Sequence, residues 1–204
     1  AYEVGAYIGT YLAGYGFNVD FAPDADVWTN PSNAVVRYRA FGSDAQTAAS
    51  MVARAVEGFH SAGVCTSLKH FPGHGATAED SHEGFAYSQR TLEELRTCEF
   101  LPFQAGIEAG SEFVMVGHIT LPQVTGDGLP SSLSGAVVTD LLRTELGYEG
   151  IIITDAMNMG AIAENYSAAD AAVRAIQAGI DVILMPSDFY SAYQGILDAV
   201  QAGT

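Results

Sequence analysis

Short apolar runs alternate with longer amphipathic stretches along this chain, and the alternation predicts its elements. The apolar runs read as strands at Gly16–Ala22, Gly63–His70, Glu112–Ile119, Gly150–Asp155 and Asp181–Met185. Two of them, Ile151-Ile152-Ile153 and Val182-Ile183-Leu184, are continuously apolar, as expected of parallel strands buried on both faces. Helical patterns fill the intervals at Tyr2–Tyr15, Asp44–Ser61, Thr91–Ala109, Ser134–Leu146, Ser167–Ala178 and Tyr190–Ala202. Thr91-Leu92-Glu93-Glu94 has the form of a capping box, with Thr91 as N-cap and Glu94 as its partner. Gly63, Gly110, Gly147 and Gly179 each fall just past a helix, where a left-handed residue is cheap. Every interval has room for a crossover helix, so the sheet should be parallel.

This layout makes the placement of polar residues informative. Asp20 and Asp24, Lys69-His70, His118 and Asp155 stand at or just beyond the carboxyl ends of successive predicted strands. Ligands bind at that end of a parallel α/β sheet, whether it is open or closed into a barrel. An eight-stranded barrel takes about 250 residues, more than the chain has. The sheet is therefore either open and doubly wound or an incomplete barrel.

Composition narrows the options. With 204 residues, 49% hydrophobic and 16% charged, the chain can bury a core as one domain. A formal net charge of −16 removes the basic surface that nucleic acid needs and disfavours anionic membranes. No stretch approaches the roughly 18 apolar residues of a membrane span, and no signal-peptide pattern opens the sequence. A trimmed exported form would read the same way, so the compartment is left open. Cys65 and Cys98 do not make a disulfide framework.

Candidate chemistry concentrates in Lys69-His70-Phe71-Pro72-Gly73-His74-Gly75 and the following Asp80-Ser81-His82. Lys69 is the only lysine, so a compact three-donor ammonium has been kept where hydroxyl-rich or anionic ligands could be gripped; a snorkelling or capping lysine is the plainer alternative. Asp80 and His82 can meet if their loop curls, and a carboxylate bound to an imidazole makes a general acid/base for neutral pH. A loop cap beside a solvent-facing histidine is the alternative. Asp155, at a strand end before a glycine-containing helical entry, suits a nucleophile, a base, a metal ligand or simply an N-cap. His70, His74, His82 and Asp80 could together bind zinc, although Pro72, Gly73 and Gly75 argue against the helix that i, i+4 ligands require. The polar loop from Asp24 to Phe41 carries Trp28, Asn30, Asn33, Arg37, Tyr38 and Arg39, which suit a polyhydroxylated ligand or an ordinary solvated surface. There is no Gly-x-Ser-x-Gly elbow, no phosphate loop and no dinucleotide fingerprint.

The lysine–histidine run with its Asp-Ser-His loop resembles the signature of glycoside hydrolase family 3, and most closely its β-N-acetylglucosaminidase branch. Four further segments fall in the family's order: Asn18 to Val27, Arg39-Ala40-Phe41-Gly42, Val116-Gly117-His118-Ile119 and Gly150 to Asp155. The resemblance implies a (β/α)8 TIM-barrel-type catalytic domain over 1–204. Its first two strands and its last are missing, which leaves about five of eight. It further implies a retaining exo-β-N-acetylglucosaminidase acting on terminal N-acetylglucosamine of cell-wall-type glycans in a bacterial-type protein. Asp155 would be the nucleophile and His82 the acid/base, polarised by Asp80. Arg39, Lys69 and His70 would hold sugar hydroxyls, with Asp26 and His118 lining or supporting the pocket. No cofactor or metal is implied. The partner would be a small-molecule or oligosaccharide substrate, not nucleic acid or a membrane, and open sheet edges would invite self-association. A β-glucosidase or β-xylosidase, a glycoside phosphorylase and an inactive sugar-binding fragment are the other expectations.

Overall fold

The computed structural model describes residues 1–78, 86–126 and 128–204. In chain order the elements are α1 (Tyr2–Gly14), β1 (Val19–Asp20), α2 (Ala45–Ser61), β2 (Cys65–Phe71), β3 (Ala86–Tyr87), α3 (Leu92–Glu94), α4 (Phe100–Glu108), β4 (Phe113–Val116), β5 (Ile119–Thr120), α5 (Pro122–Thr125), β6 (Ile151–Thr154), α6 (Gly160–Ala163), α7 (Ala168–Ala178) and α8 (Phe189–Ala202). A π-helical turn, Leu95–Glu99, joins α3 to α4, and a second π-helical stretch, Ala136–Glu145, precedes β6.

Among the described residues the main sheet runs β1-β2-β4-β6, with every pairing parallel. The last predicted strand joins it through a parallel bridge between Ile153 and Val182, extended where Thr154 N–H donates to the Val182 carbonyl at 3.0 Å. The apolar runs thus lie side by side in sequence order, with α2 and α4 packed against β2. A separate parallel pair, β3-β5, was not visible in the pattern because each strand has only two residues.

Phe71 organises the core beneath the sheet. Its ring stacks on Phe100 at 5.5 Å and meets Phe103 edge-on at 5.2 Å. Leu68, Leu95, Val114, Ile152 and Leu142 close around this cluster with no exposed surface. The predicted capping box is present: the Thr91 hydroxyl accepts from Glu94 N–H at 3.3 Å, and the Glu94 carboxylate accepts from Thr91 N–H at 2.8 Å. Gly63, Gly110, Gly147 and Gly179 all take positive φ, as their positions after helices require.

The amino ends of the strands are closed by a structural polar knot. Glu112 accepts from Thr66 N–H at 3.0 Å and meets His60 Nε2 at 3.1 Å. Both cysteines are half-buried and poorly ionised. Burial and then Glu112 push up the Cys65 thiol, and burial and then Glu99 push up Cys98 to about 11.

Helices α1 and α2 cross at glycines. A methyl on Gly5 would stand 2.6 Å from the Ala55 carbonyl, and one on Gly58 would run into the Tyr2 carbonyl. The crossing therefore tolerates no side chain at Gly58. Gly58→Ala is expected to lower unfolding free energy by roughly 1–3 kcal/mol, the usual cost of overpacking, measured by urea titration. An unchanged midpoint would show that the helices part without cost.

Candidate active site

Beyond β1 the chain turns through Pro23 and carries Asp24 and Asp26 over the end of β2. The peptide bonds Ala22–Pro23, Lys69–His70 and Phe71–Pro72 in this corner are cis. Ala25 N–H donates to the Lys69 carbonyl at 2.6 Å, which holds the two strand ends in register. The Asp26 side chain, with 0% exposure, collects three donors: His74 N–H at 2.5 Å, His70 N–H at 3.4 Å, and His70 Nδ1 at 2.8 Å. Burial alone would raise the Asp26 carboxyl. The His70 imidazole, through its charge and its hydrogen bond, outweighs burial and holds Asp26 below the ordinary range. Burial likewise opposes charge on His70, yet Asp26 lifts that imidazole above its usual value.

Asp24 is the anomalous member of the group. Its Oδ1 accepts from Asp26 N–H at 3.0 Å, but buried Oδ2 has no hydrogen-bond partner among the described residues. Arg39 Nε stands 3.9 Å away, and it and Nη2 of that guanidinium donate to the Val35 carbonyl at 3.1 and 2.9 Å. Burial first, and then the Asp26 charge, push the Asp24 carboxyl up to about 8.

Two loops are locked together over this floor. Thr77 Oγ1 lies 2.7 Å from His74 Nδ1, and Asn33 Nδ2 donates to the His74 carbonyl at 2.7 Å. Asn33 Oδ1 in turn accepts from Val35 and Val36 N–H at 2.9 and 3.0 Å. Burial lowers the His74 imidazole, which favours the neutral ring. Gly75 passes so close to the Val27 carbonyl that a Cβ there would collide with it. Of the polar loop, Trp28 Nε1 and Asn30 Nδ2 bond to backbone carbonyls at 3.1 Å each, while Tyr38 is 85% exposed beneath the Arg37 guanidinium. Asn33, which the sequence left in a loop that was either ligand-binding or solvated, is buried and ties the two loops together.

Asp155 follows β6 and is held by backbone. Its N–H donates to the Val116 carbonyl at 2.9 Å, and its Oδ1 accepts from Ala156 N–H at 2.7 Å. Its charge is felt at both His70 and His74, so the β2 and β6 ends share one electrostatic field. His118, with no exposed surface, has Nε2 3.0 Å from the Ala156 carbonyl and Nδ1 2.8 Å from Ser132 Oγ.

Sequence expectation and geometry meet as follows. Asp26, His70 and Asp155 gather at one end of the sheet with Arg39 at its rim. Half-buried Lys69 lies near Asp20, whose carboxyl burial raises and the Lys69 charge draws back down. Asp26 and His118 are buried and present no surface to a ligand; what the structure shows of them is their bonds to His70, His74, Ser132 and Ala156. Asp80 and His82 lie outside the described residues. Among the described residues, Asp24, Asp26 and His70 are the groups whose ligand atoms fall within 4.8 Å of one another, the spacing a cation would need. Asp26 Oδ2 and His70 Nδ1 already face each other at hydrogen-bond distance, which leaves Asp24 Oδ2 as the uncommitted donor atom. Sequence gave no sign of Ser132, because a serine beside another serine in a turn carries no chemical signal.

The whole chain, residues 1–204, matches the Glycosyl hydrolase family 3 N terminal domain. It belongs to glycosyl hydrolase family 3. A β-hexosaminidase of Stenotrophomonas maltophilia is 40% identical over 173 residues, 83% of this chain and 50% of that protein. A β-N-acetylglucosaminidase of this family from Paenibacillus superposes with TM-score 0.96 and 40% identity, covering 99% of this chain and 39% of that one. A β-glucoside phosphorylase aligns with TM-score 0.94 and 27% identity over 98% of this chain and 38% of that one. The chain spans from 33% to 50% of the length of the two curated relatives it matches first. The family places the parallel arc within a TIM-barrel-like α/β fold, of which these strands are part.

Asp24 yields a pH prediction. A carboxyl whose folded pKa is raised binds a proton that the unfolded chain releases, so its contribution to stability falls as pH rises from about 3.8 to about 8. Asp24→Asn removes that loss. Its melting temperature should gain on the parent progressively between pH 4 and pH 8 and level off above. A constant offset across this range would mean that Asp24 titrates normally.

Proposed function

We propose that this family 3 domain carries out retaining removal of terminal β-linked N-acetylglucosamine from cell-wall-type glycans. The observation that carries the reading is Asp155, a carboxylate fixed by backbone at the carboxyl end of a parallel strand, in one field with His70. The Asp155 carboxylate attacks the anomeric carbon while the glycosidic bond breaks, and His82 gives its proton to the departing oxygen. A covalent glycosyl-aspartate results. Water then attacks the same carbon, passing its proton to His82 and releasing Asp155. Asp80 holds the His82 ring and stabilises its charged form. The roles of Asp80 and His82 rest on the family signature in the sequence. Arg39, Lys69 and His70 bind hydroxyls of the sugar.

A second reading has a specific observation behind it, the structural likeness to a β-glucoside phosphorylase. In that case phosphate replaces water as the second acceptor, and a histidine acid repels an incoming phosphate less than a carboxylate would.

Release of nitrophenol from the β-N-acetylglucosaminide and the β-glucoside, with and without inorganic phosphate, separates the readings. Preference for the acetylated sugar without need of phosphate supports the hydrolase; a sugar phosphate product supports the phosphorylase. Asp155→Asn should lower turnover by roughly 10³-fold or more at unchanged melting temperature. Activity surviving that change would remove Asp155 from the chemistry. Replacing His82 should slow a natural disaccharide far more than the nitrophenyl substrate, because a phenolate leaves without protonation. Equal losses on both substrates would rule out the acid role.

A further inference from the structure

The turn that carries Asp155 is gripped from two sides. On one side Met157 N–H donates to the Leu184 carbonyl at 2.9 Å, and Leu184 N–H donates to Thr154 Oγ1 at 2.9 Å. On the other, the Ala156 carbonyl meets His118 Nε2 at 3.0 Å. The peptide unit joining Ala156 to Met157 therefore has both ends tied, its carbonyl to β4's continuation and its N–H to the segment after Val182. The preceding peptide N–H, that of Ala156, is the donor on Asp155 Oδ1 at 2.7 Å. A rotation of this turn would swing the carboxylate.

A carbonyl oxygen only accepts, so His118 Nε2 must carry the ring proton to bond Ala156. In the neutral ring Nδ1 is then an acceptor, and the group it faces, at 2.8 Å, is the Ser132 hydroxyl. Ser132 has no exposed surface and belongs to the turn Ser131–Leu133. That turn is itself pinned, since Ser131 Oγ donates to the Ile119 carbonyl at 2.5 Å and Thr120 bridges Pro130. The serine oxygen is thus held in place by the fold, and its hydroxyl donates to Nδ1 when Nε2 carries the proton.

We propose that Ser132 and His118 are positioning residues for the Asp155 carboxylate: the serine hydroxyl, bonded to Nδ1, anchors the ring and reinforces the tautomer that the Ala156 carbonyl selects, and the histidine holds the Ala156 peptide that aims the nucleophile. The role assigned here to Asp155 rests on the proposed glycosidase reading. Neither Ser132 nor His118 touches the sugar, so their loss shows in kcat and not in substrate affinity.

The test uses three variants of the chain and two readouts. In Ser132→Ala, kcat for the nitrophenyl β-N-acetylglucosaminide should fall roughly tenfold to a hundredfold, the scale of a misplaced reacting group, with KM changed less than about twofold. His118→Gln, whose amide N–H₂ can still reach the Ala156 carbonyl, should retain more activity than His118→Asn, whose shorter side chain cannot. Independently of activity, ring nitrogen NMR shifts should report the Nε2–H tautomer of His118 in the parent and its loss or mixing in Ser132→Ala. An active parent whose Ser132→Ala form keeps kcat, or shows the same tautomer, overturns the relay while the glycosidase reading stands. Equal activity of the two His118 variants overturns it too. A parent without glycosidase activity strikes instead at the function proposed above. The tautomer measurement still decides whether serine reinforces the ring's tautomer.

Discussion

A carboxylate sealed from solvent, Asp26, accepts from three donors that come from one stretch of chain, and the carboxyl end of the sheet is assembled around it. Isolated in a low-dielectric interior, such a charge would cost several kcal/mol and would neutralise itself by taking up a proton. It stays ionised because His70 stands against it and backbone N–H groups complete its shell. The loop after β2 must therefore fold back over the loop after β1. His74 and Gly75 are carried with it, into contact with Asn33 and the Val27 carbonyl. Two strand ends that could have splayed become one rigid floor.

The same constraint explains why Asp24 behaves so differently two residues away. The charge demanded by the His70 contact is already supplied by Asp26, so a second anion in the same pocket is repelled and desolvated at once. Paired carboxylates with separated proton affinities often mark reacting groups. Here the pair sits beneath the site, and the reacting carboxylate proposed for the chain, Asp155, comes from a different strand. Chemistry and support are divided between β6 and the β1–β2 corner.

Much of the architecture could be read from residues that act locally. Thr91 with Glu94 announced a helix start and four glycines marked helix ends, each formed through near neighbours in the chain; Ile151-Ile152-Ile153 announced a strand by its continuous apolar run, although its partner β4 lies 38 residues away and Ile151 itself is exposed. The alignment of Asp20 and Asp24, Lys69-His70, His118 and Asp155 at strand ends followed from the strand pattern, whereas Asp26 entered only through the family resemblance. What escaped depends on contacts between distant segments. The Ser132–His118 bond spans 14 positions and the His118–Ala156 bond 38, and no pattern in either stretch encodes them. Asn33 was read only as part of a polar loop, ligand-binding or solvated, because an exposed and a buried asparagine read alike. Only the fold shows that its amide is taken by the chain 41 and 44 residues further on, at His74 and Thr77. The π-helical turns were invisible too, since a one-residue widening of a coil barely alters its apolar stripe.

The two suppressed thiols have a practical meaning. With its pKa pushed up to about 11, Cys98 holds about one molecule in 10⁴ as thiolate at pH 7, and Cys65 is displaced in the same direction. Alkylating reagents attack the thiolate, so both native sulfurs are slow targets. A cysteine introduced on the exposed rim, at Tyr38 for instance, would outcompete them without any need to remove Cys65 or Cys98. Fluorophores or spin labels can therefore be written onto the loop beside Asp24 and Arg39 in the natural sequence and used to watch whether ligands arrive there.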